Sequence, residues 1–175
     1  IAGINRANPS KMTNLLPGSS LREPIGYYSV NHGTGDVLYW SRYGYNVSLT
    51  NTGSKSSRYI SGDAVPSTPY VIPGTDKFSF VHRQGNEEVW IKELDPTTKT
   101  IRPLTPVKGS NANYAWAPDG TIFIIQDDVL YRWSEGKKEG WTEISDLSES
   151  GIKGAARLAF SPNGEYLAVV GTAIE

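Results

Sequence analysis

The sequence predicts an all-β chain of repeated four-stranded antiparallel units, and three observations carry the prediction. The first is a phrase that occurs three times: "YVIPGTDKFSFVHR" from Tyr70, "YAWAPDGTIFIIQD" from Tyr114 and "LAFSPNGEYLAVVG" from Leu158. Each is a short apolar run, a Pro-Gly, Pro-Asp-Gly or Pro-Asn-Gly turn, and a second apolar run. The second observation is the period. The turn prolines Pro73, Pro118 and Pro162 stand 45 and 44 residues apart, the length of one four-stranded propeller blade. The third is the lack of an apolar 3.6-residue period longer than two turns. The best helical stretch, Asp146 to Lys153, is interrupted by Gly151 and reads as a loop or a single turn.

Taken in order, Ile1 to Asn5 and Lys11 to Leu15 flank an "NPSK" turn and read as the last two strands of a blade whose beginning is missing (1–20). The unit 21–62 opens with "IGYYSVNHGTGDVLYWSR", which keeps the run, Gly turn and run but has no proline. Its outer strands are Tyr45 to Asn51 and Ser57 to Ile60. The unit 63–108 holds Tyr70 to Ile72, Lys77 to His82, Glu88 to Leu94 and Ile101 to Leu104. The unit 109–153 repeats that order with Tyr114 to Trp116, Thr121 to Gln126, Val129 to Trp133 and Trp141 to Ile144. Leu158 to Val170 supplies the first two strands of a last unit (154–175). In the turns, Pro pre-sets φ, Asp or Asn closes a local hydrogen bond and Gly accepts positive φ, so consecutive strands reverse tightly. The expected architecture is a single propeller domain or propeller segment of about three whole blades plus two half-blades at the termini. Three arrangements follow for the halves: they complete one another, the chain is the C-terminal part of a larger ring, or two copies pair their raw edges.

Composition narrows the function classes. Net charge is −1 over 175 residues, with neither a basic stripe nor a run of like charges, so no electrostatic case exists for nucleic acid or an anionic membrane. The sequence has no apolar stretch of 18 residues, which excludes an ordinary transmembrane helix and argues against membrane insertion. The chain opens at Ile1 rather than Met, which leaves room for an upstream segment removed in processing. With no cysteine there are no disulfides and no thiolate metal sites.

Catalytic motifs are sparse. His32 and His82 fall in different units, and a His metal site needs several ligands converging on one point. Asp127-Asp128 could offer oxygens to a hard cation, but the pair also suits a hairpin turn. Glu87 and Glu88 are neighbours on a strand and should point to opposite faces. Neither a G-x-S-x-G elbow nor a phosphate-binding G-x-x-x-x-G-K-[ST] loop occurs. The expectation is no catalytic residue, no metal and no cofactor. Aromatics crowd the first unit (Tyr27, Tyr28, Tyr39, Trp40, Tyr43, Tyr45), where they can stack a sugar or anchor a peptide. Trp90, Trp116 and Trp133 are expected in the core.

The "WAPDG" at Trp116 to Gly120 and "FSPNGEYLA" at Phe160 to Ala168 resemble the Pro-Asp-Gly repeats of TolB-like β-propellers, relatives of the WD-type repeat. Tyr70 to Val170 resembles the C-terminal blades of exported bacterial TolB-like propellers. The resemblance implies a periplasmic or secreted, non-catalytic binding or scaffold module for a protein or glycan partner at the bacterial cell envelope. Similar repeats are fused to hydrolase or peptidase domains, so an accessory part of a larger enzyme is one alternative. A self-assembling partial propeller, a homodimer through blade edges, is another. In a blade array, the loops from the last strand of one blade to the first of the next gather at one mouth of the channel, beside the loops between second and third strands. Those loops nominate Arg22, Asp63, Asn113 and Arg157, and Arg42, Tyr43, Arg83 and Asp127, as contact residues for a ligand or partner.

Overall fold

A computed structural model describes residues 25–41, 45–54, 56–85, 88–137 and 139–174 in full, and the backbone of residues 2–5 and 8–14. Among the described residues, all of the regular structure is strand except one 3-10 turn, Ser148–Ser150. Three four-stranded antiparallel meanders follow one another. The first blade is β3 (Ile25–Val30), β4 (Asp36–Ser41), β5 (Asn46–Asn51) and β6 (Ser57–Ser61). The second is β7 (Tyr70–Val71), β8 (Phe78–Gln84), β9 (Glu88–Leu94) and β10 (Ile101–Pro106). The third is β11 (Tyr114–Trp116), β12 (Ile122–Gln126), β13 (Val129–Trp133) and β14 (Thr142–Asp146). Two-stranded hairpins flank them: β1 (Ala2–Asn5) with β2 (Asn8–Asn14), and β15 (Ile152–Phe160) with β16 (Leu167–Ala173). The all-β, bladed class expected from the repeats is therefore what the chain adopts.

Each meander buries both faces, which is why its central strands read as nearly unbroken apolar runs. On β8, Phe78 and Phe80 point to the first blade and pack with Leu38, Trp40 and Leu49, while Val81 points the other way and packs with Tyr114, Ile122 and Trp133. On β12 the division repeats: Ile122 faces the second blade, and Ile125 faces the last hairpin through Ala155 and Leu158. The strand period of two thus assigns alternate residues to alternate neighbours.

The repeated turns close as their residues require. Gly120 N–H donates to Ala117 at 3.0 Å and Gly164 N–H to Ser161 at 2.9 Å, each glycine having positive φ (84° and 74°). The first blade replaces proline with Asn31, whose Oδ1 accepts the N–H groups of Gly33 (2.8 Å) and Thr34 (3.3 Å).

Some expectations are corrected. The two terminal hairpins do not complete one another: β1–β2 and β15–β16 are separate sheets. The "NPSK" stretch is not a turn, because Asn8, Pro9, Ser10 and Lys11 already lie in β2. The last hairpin begins at Ile152 rather than Leu158, since a bulge between Lys153 and Arg157, with Gly154 at φ 61°, carries the strand past an irregularity. Trp133 is buried and Trp116 packs at the edge of a core cluster. Trp90 is half-buried outside the clusters, its indole N–H donating to Glu88 at 3.1 Å.

Candidate functional site

The loop after β10 must turn back from the outer edge of the second blade to the inner strand of the third, and Gly109 makes that turn at φ 72°. A Cβ at Gly109 would occupy the space of the Gln126 side chain. Gln126 Oε1 accepts the N–H groups of Ser110 (2.9 Å) and Asn111 (3.2 Å), tying the loop to the end of β12. Asn111 then works in two directions. Its Nδ2 donates to the Ile125 and Ala156 carbonyls, both at 3.1 Å, and its Oδ1 accepts from Asn113 N–H at 3.0 Å. One amide therefore bridges the third blade to β15.

Asp127 and Asp128 form the two-residue loop between β12 and β13, closed by the Gln126–Val129 pair. Both have positive φ (51° and 63°), the type I′ geometry that matches strand twist and tolerates Asp. Asp128 Oδ1 accepts the Ala155 N–H at 2.8 Å and fixes the bulge of β15. Asp127 is exposed, and among the described residues its carboxylate has neither a hydrogen bond nor an ion pair. These three excursions enclose an open cleft of about 410 Å³, lined chiefly by Asn111, Gln126, Asp127, Asp128, Gly154 and Ala156. Polar and apolar atoms line the cleft in equal measure, and none of its lining side chains is aromatic.

The nominated contact residues separate into groups. Asp127 lines this cleft, and Asn113 is held beside it through Asn111. Asp63 and Arg83 meet at the junction of the first two blades, through the Arg83 N–H and the Asp63 carbonyl (3.1 Å) rather than a salt bridge. Arg157 projects from β15, and its NH2 donates to the Tyr27 hydroxyl at 3.3 Å, linking the inner strands of the first and last blades. Near the same strands Tyr70 packs edge-on against Tyr114, rings 5.0 Å apart. Burial raises the Tyr70 pKa, against the Thr68 hydrogen bond and the Arg157 charge. Arg22, Arg42 and Tyr43 lie outside the described residues, as does Glu87. Gln126 and Gly154 were not nominated from the sequence, and Asp128 was weighed there only as a cation ligand or a turn residue. Gly109, a turn glycine 17 residues before Gln126, is the signal that could have drawn attention to the pair.

The arrangement offers fixed amide dipoles and the exposed Asp127 carboxylate. Among the described residues no group of three or more His, Asp or Glu side chains converges as a metal site. Asp127-Asp128 is a hairpin turn, and His32 lies in the turn before β4, while His82 is engaged with Ser61 at the first blade junction.

No family model matches the sequence, and no curated protein matches it significantly. Solved structures do match. The chain is similar to TolB of Acinetobacter baumannii, with 15% identity over 95% of this chain and a TM-score of 0.65. It is similar to a protein of Agrobacterium tumefaciens assigned as TolB, at 17% identity over 92% of the chain and a TM-score of 0.64. YCF48 bound to D1 peptide aligns over 94% of the chain at 15% identity, with a TM-score of 0.58. The fold is thus that of a β-propeller. The chain spans 41% of the Acinetobacter TolB, 57% of the Agrobacterium protein and 52% of YCF48.

Replacing Gly109 by Ala forces an L residue into positive φ and into the Gln126 side chain. We expect chemical denaturation to show a loss of about 1–3 kcal/mol. An unchanged midpoint would contradict the role given to this loop.

Proposed function

We propose that this chain is the binding portion of a non-catalytic TolB-like propeller that holds a protein partner at the cleft between its third blade and last hairpin. The observation that carries this reading is the Asp127 carboxylate, unpaired among the described residues, in a cleft where the Asn111, Gln126 and Asp128 side chains are already fixed by their own hydrogen bonds. Such a site needs little reordering on binding, which is where preorganised sites gain affinity. A carboxylate that makes no ion pair among the described residues favours a cationic side chain, a Lys or Arg on an extended segment. The absence of aromatic rings in the lining favours a protein over a glycan, because sugars are held largely by stacking on such rings. The similarity to YCF48, whose structure holds a D1 peptide, adds support from the fold. The likeness to TolB supports a bacterial cell-envelope setting, periplasmic or secreted.

Titration with acetyl-Gly-Lys-Gly amide, followed by backbone NMR, tests the reading. Shifts should concentrate at Ser110–Asn111 and Gln126–Asp128, weaken about fivefold in Asp127→Asn, and be absent with the Gln analogue of the peptide. Equal responses to the Lys and Gln peptides, or none at these amides, would overturn it.

A second reading, association of two copies through a blade edge, has one observation in its favour. Among the described residues β16 pairs only with β15, its residues Leu167–Ala173 include neither charge nor proline, and Arg157, Ala159, Ala168 and Val170 leave one face of the hairpin exposed. Edges of this kind are templates for further strands. Light scattering should then give a mass above the 19.2 kDa of one chain, reduced by Val170→Lys. A monomer at every concentration would dismiss this reading.

A further inference from the structure

Two buried side-chain nitrogens among the described residues have no hydrogen-bond partner: Trp40 Nε1 and His82 Nδ1. The second belongs to a titratable group at a joint. His82 lies on β8 on the same face as Phe78 and Phe80, and so points toward the first blade. Its Nε2 is 2.6 Å from Ser61 Oγ, at the end of β6 in that blade. The Ser61 hydroxyl donates to the Gly62 carbonyl at 3.1 Å. With the serine proton committed there, Nε2–H is the donor to Ser61, and Nδ1 is left as the bare nitrogen.

The segment after Ser61 is sewn down around this contact. Ala64 N–H donates to the Tyr45 carbonyl at 2.9 Å, Val65 N–H to Val81 at 3.2 Å, and Arg83 N–H to Asp63 at 3.1 Å. Tyr45 and Asp63 are both held at positive φ (52° and 54°), conformations that persist only where surroundings impose them. The Ser61–His82 bond is the side-chain fastening of that segment across the junction of the two blades.

A second proton on the imidazole would go to Nδ1, which is buried and makes no hydrogen bond among the described residues. Among the described residues, Lys92, on β9, adds a like charge, Asp63, on the loop, is the opposing carboxylate acting on the ring, and β6 contributes the uncharged Ser61. Arg83, the next residue on β8, contributes its backbone carbonyl. We propose that Ser61, His82 and the segment Gly62–Val65 form a proton-sensitive latch between the first two blades, closed while His82 is neutral and released when it is protonated. The sign follows from the environment. Burial first, and Lys92 second, hold the His82 pKa below its ordinary 6.5, against the Gly62 and Arg83 carbonyls and Asp63. The released form, with a hydrated ring, therefore takes up the proton more readily. The closed form is fully stabilised above about pH 6.5 and loses that advantage as pH falls through the lower, folded value. Release would free Asp63 and Tyr45, which the latch holds at the first blade junction. The latch stands on this junction alone and does not depend on the cleft binding a peptide.

Hydrogen exchange of the intact chain at pH 7 and pH 5, corrected for intrinsic rates, reads the latch directly. Protection at Ala64, Val65 and Arg83 should fall severalfold, while Ile124 and Tyr131 in the third blade keep theirs. His82→Gln should remove the pH dependence, and Ser61→Ala should lower protection at pH 7. The ring protons of His82 in the unaltered chain should titrate below pH 6.5, a readout that needs no variant. Constant protection at Ala64, Val65 and Arg83, a loss shared equally by the third blade, or titration at or above 6.5 would overturn the proposal.

Discussion

Burial of both faces of every full sheet is the constraint on which the rest of this structure depends. A single meander of four short strands cannot stabilise itself, since one face alone gives too little apolar area to offset the ordering of the chain. Stacking solves this by letting each blade serve as core for two neighbours. Leu38 and Trp40 meet Phe78 and Phe80; Val81 and Ile91 meet Tyr114, Ile122 and Trp133; Ile125 and Leu130 meet Ala155 and Leu158. At roughly 1.5–3 kcal/mol for each large side chain fully buried, these three contact layers are the main source of order in the described residues.

Apolar faces alone would allow adjacent blades to slide, and polar contacts at the joints set their registration. Glu93 is buried and accepts from Arg102, both Nε and NH2 at 2.8 Å, and from Lys77 at 2.8 Å, while Arg102 reaches Glu135 beyond β13 at 2.6 Å. Burial alone would raise the Glu93 pKa, but the bonds from Arg102 and Lys77 outweigh it and the net shift is downward. Ser79 hydroxyl contacts the Tyr114 hydroxyl at 2.7 Å and accepts the Trp116 indole N–H at 2.8 Å, pinning the second blade to the third inside the core. Asn111, Gln126 and Asp128 do the same at the next joint, with one difference: their arrangement leaves an open cleft and a free carboxylate.

Much of this architecture was legible because turn chemistry is local. Pro118-Asp119-Gly120 and Pro162-Asn163-Gly164 specify their reversals within four residues, and the apolar runs on either side specify strands buried on both faces. Legibility ended where structure depends on distant partners. The early start of β15 rests on a bulge held by Asp128, 27 residues upstream of Ala155. Asn31 replacing a turn proline works through its side chain, which also donates to Asp76 in the second blade at 3.1 Å. The site was legible in outline, since loop position alone nominated Asp127 and Asn113. Gln126 escaped notice because its role is created by the space that Gly109 leaves. Arg157 was nominated for a rim, yet its hydrogen bond to Tyr27 spans 130 residues of sequence that no local pattern relates.

The central claim, that the blades are ordered by packing face to face, is tested most directly by a double-mutant cycle across one joint. Ile125 in the third blade and Leu158 in the last hairpin are both buried in the same cluster. With Ile125→Ala, Leu158→Ala and the pair measured by denaturant unfolding, the account predicts a coupling of about 0.5–3 kcal/mol, as for residues that share a core contact. Strict additivity of the two losses would show that the third blade and the last hairpin are stabilised independently, and would contradict it.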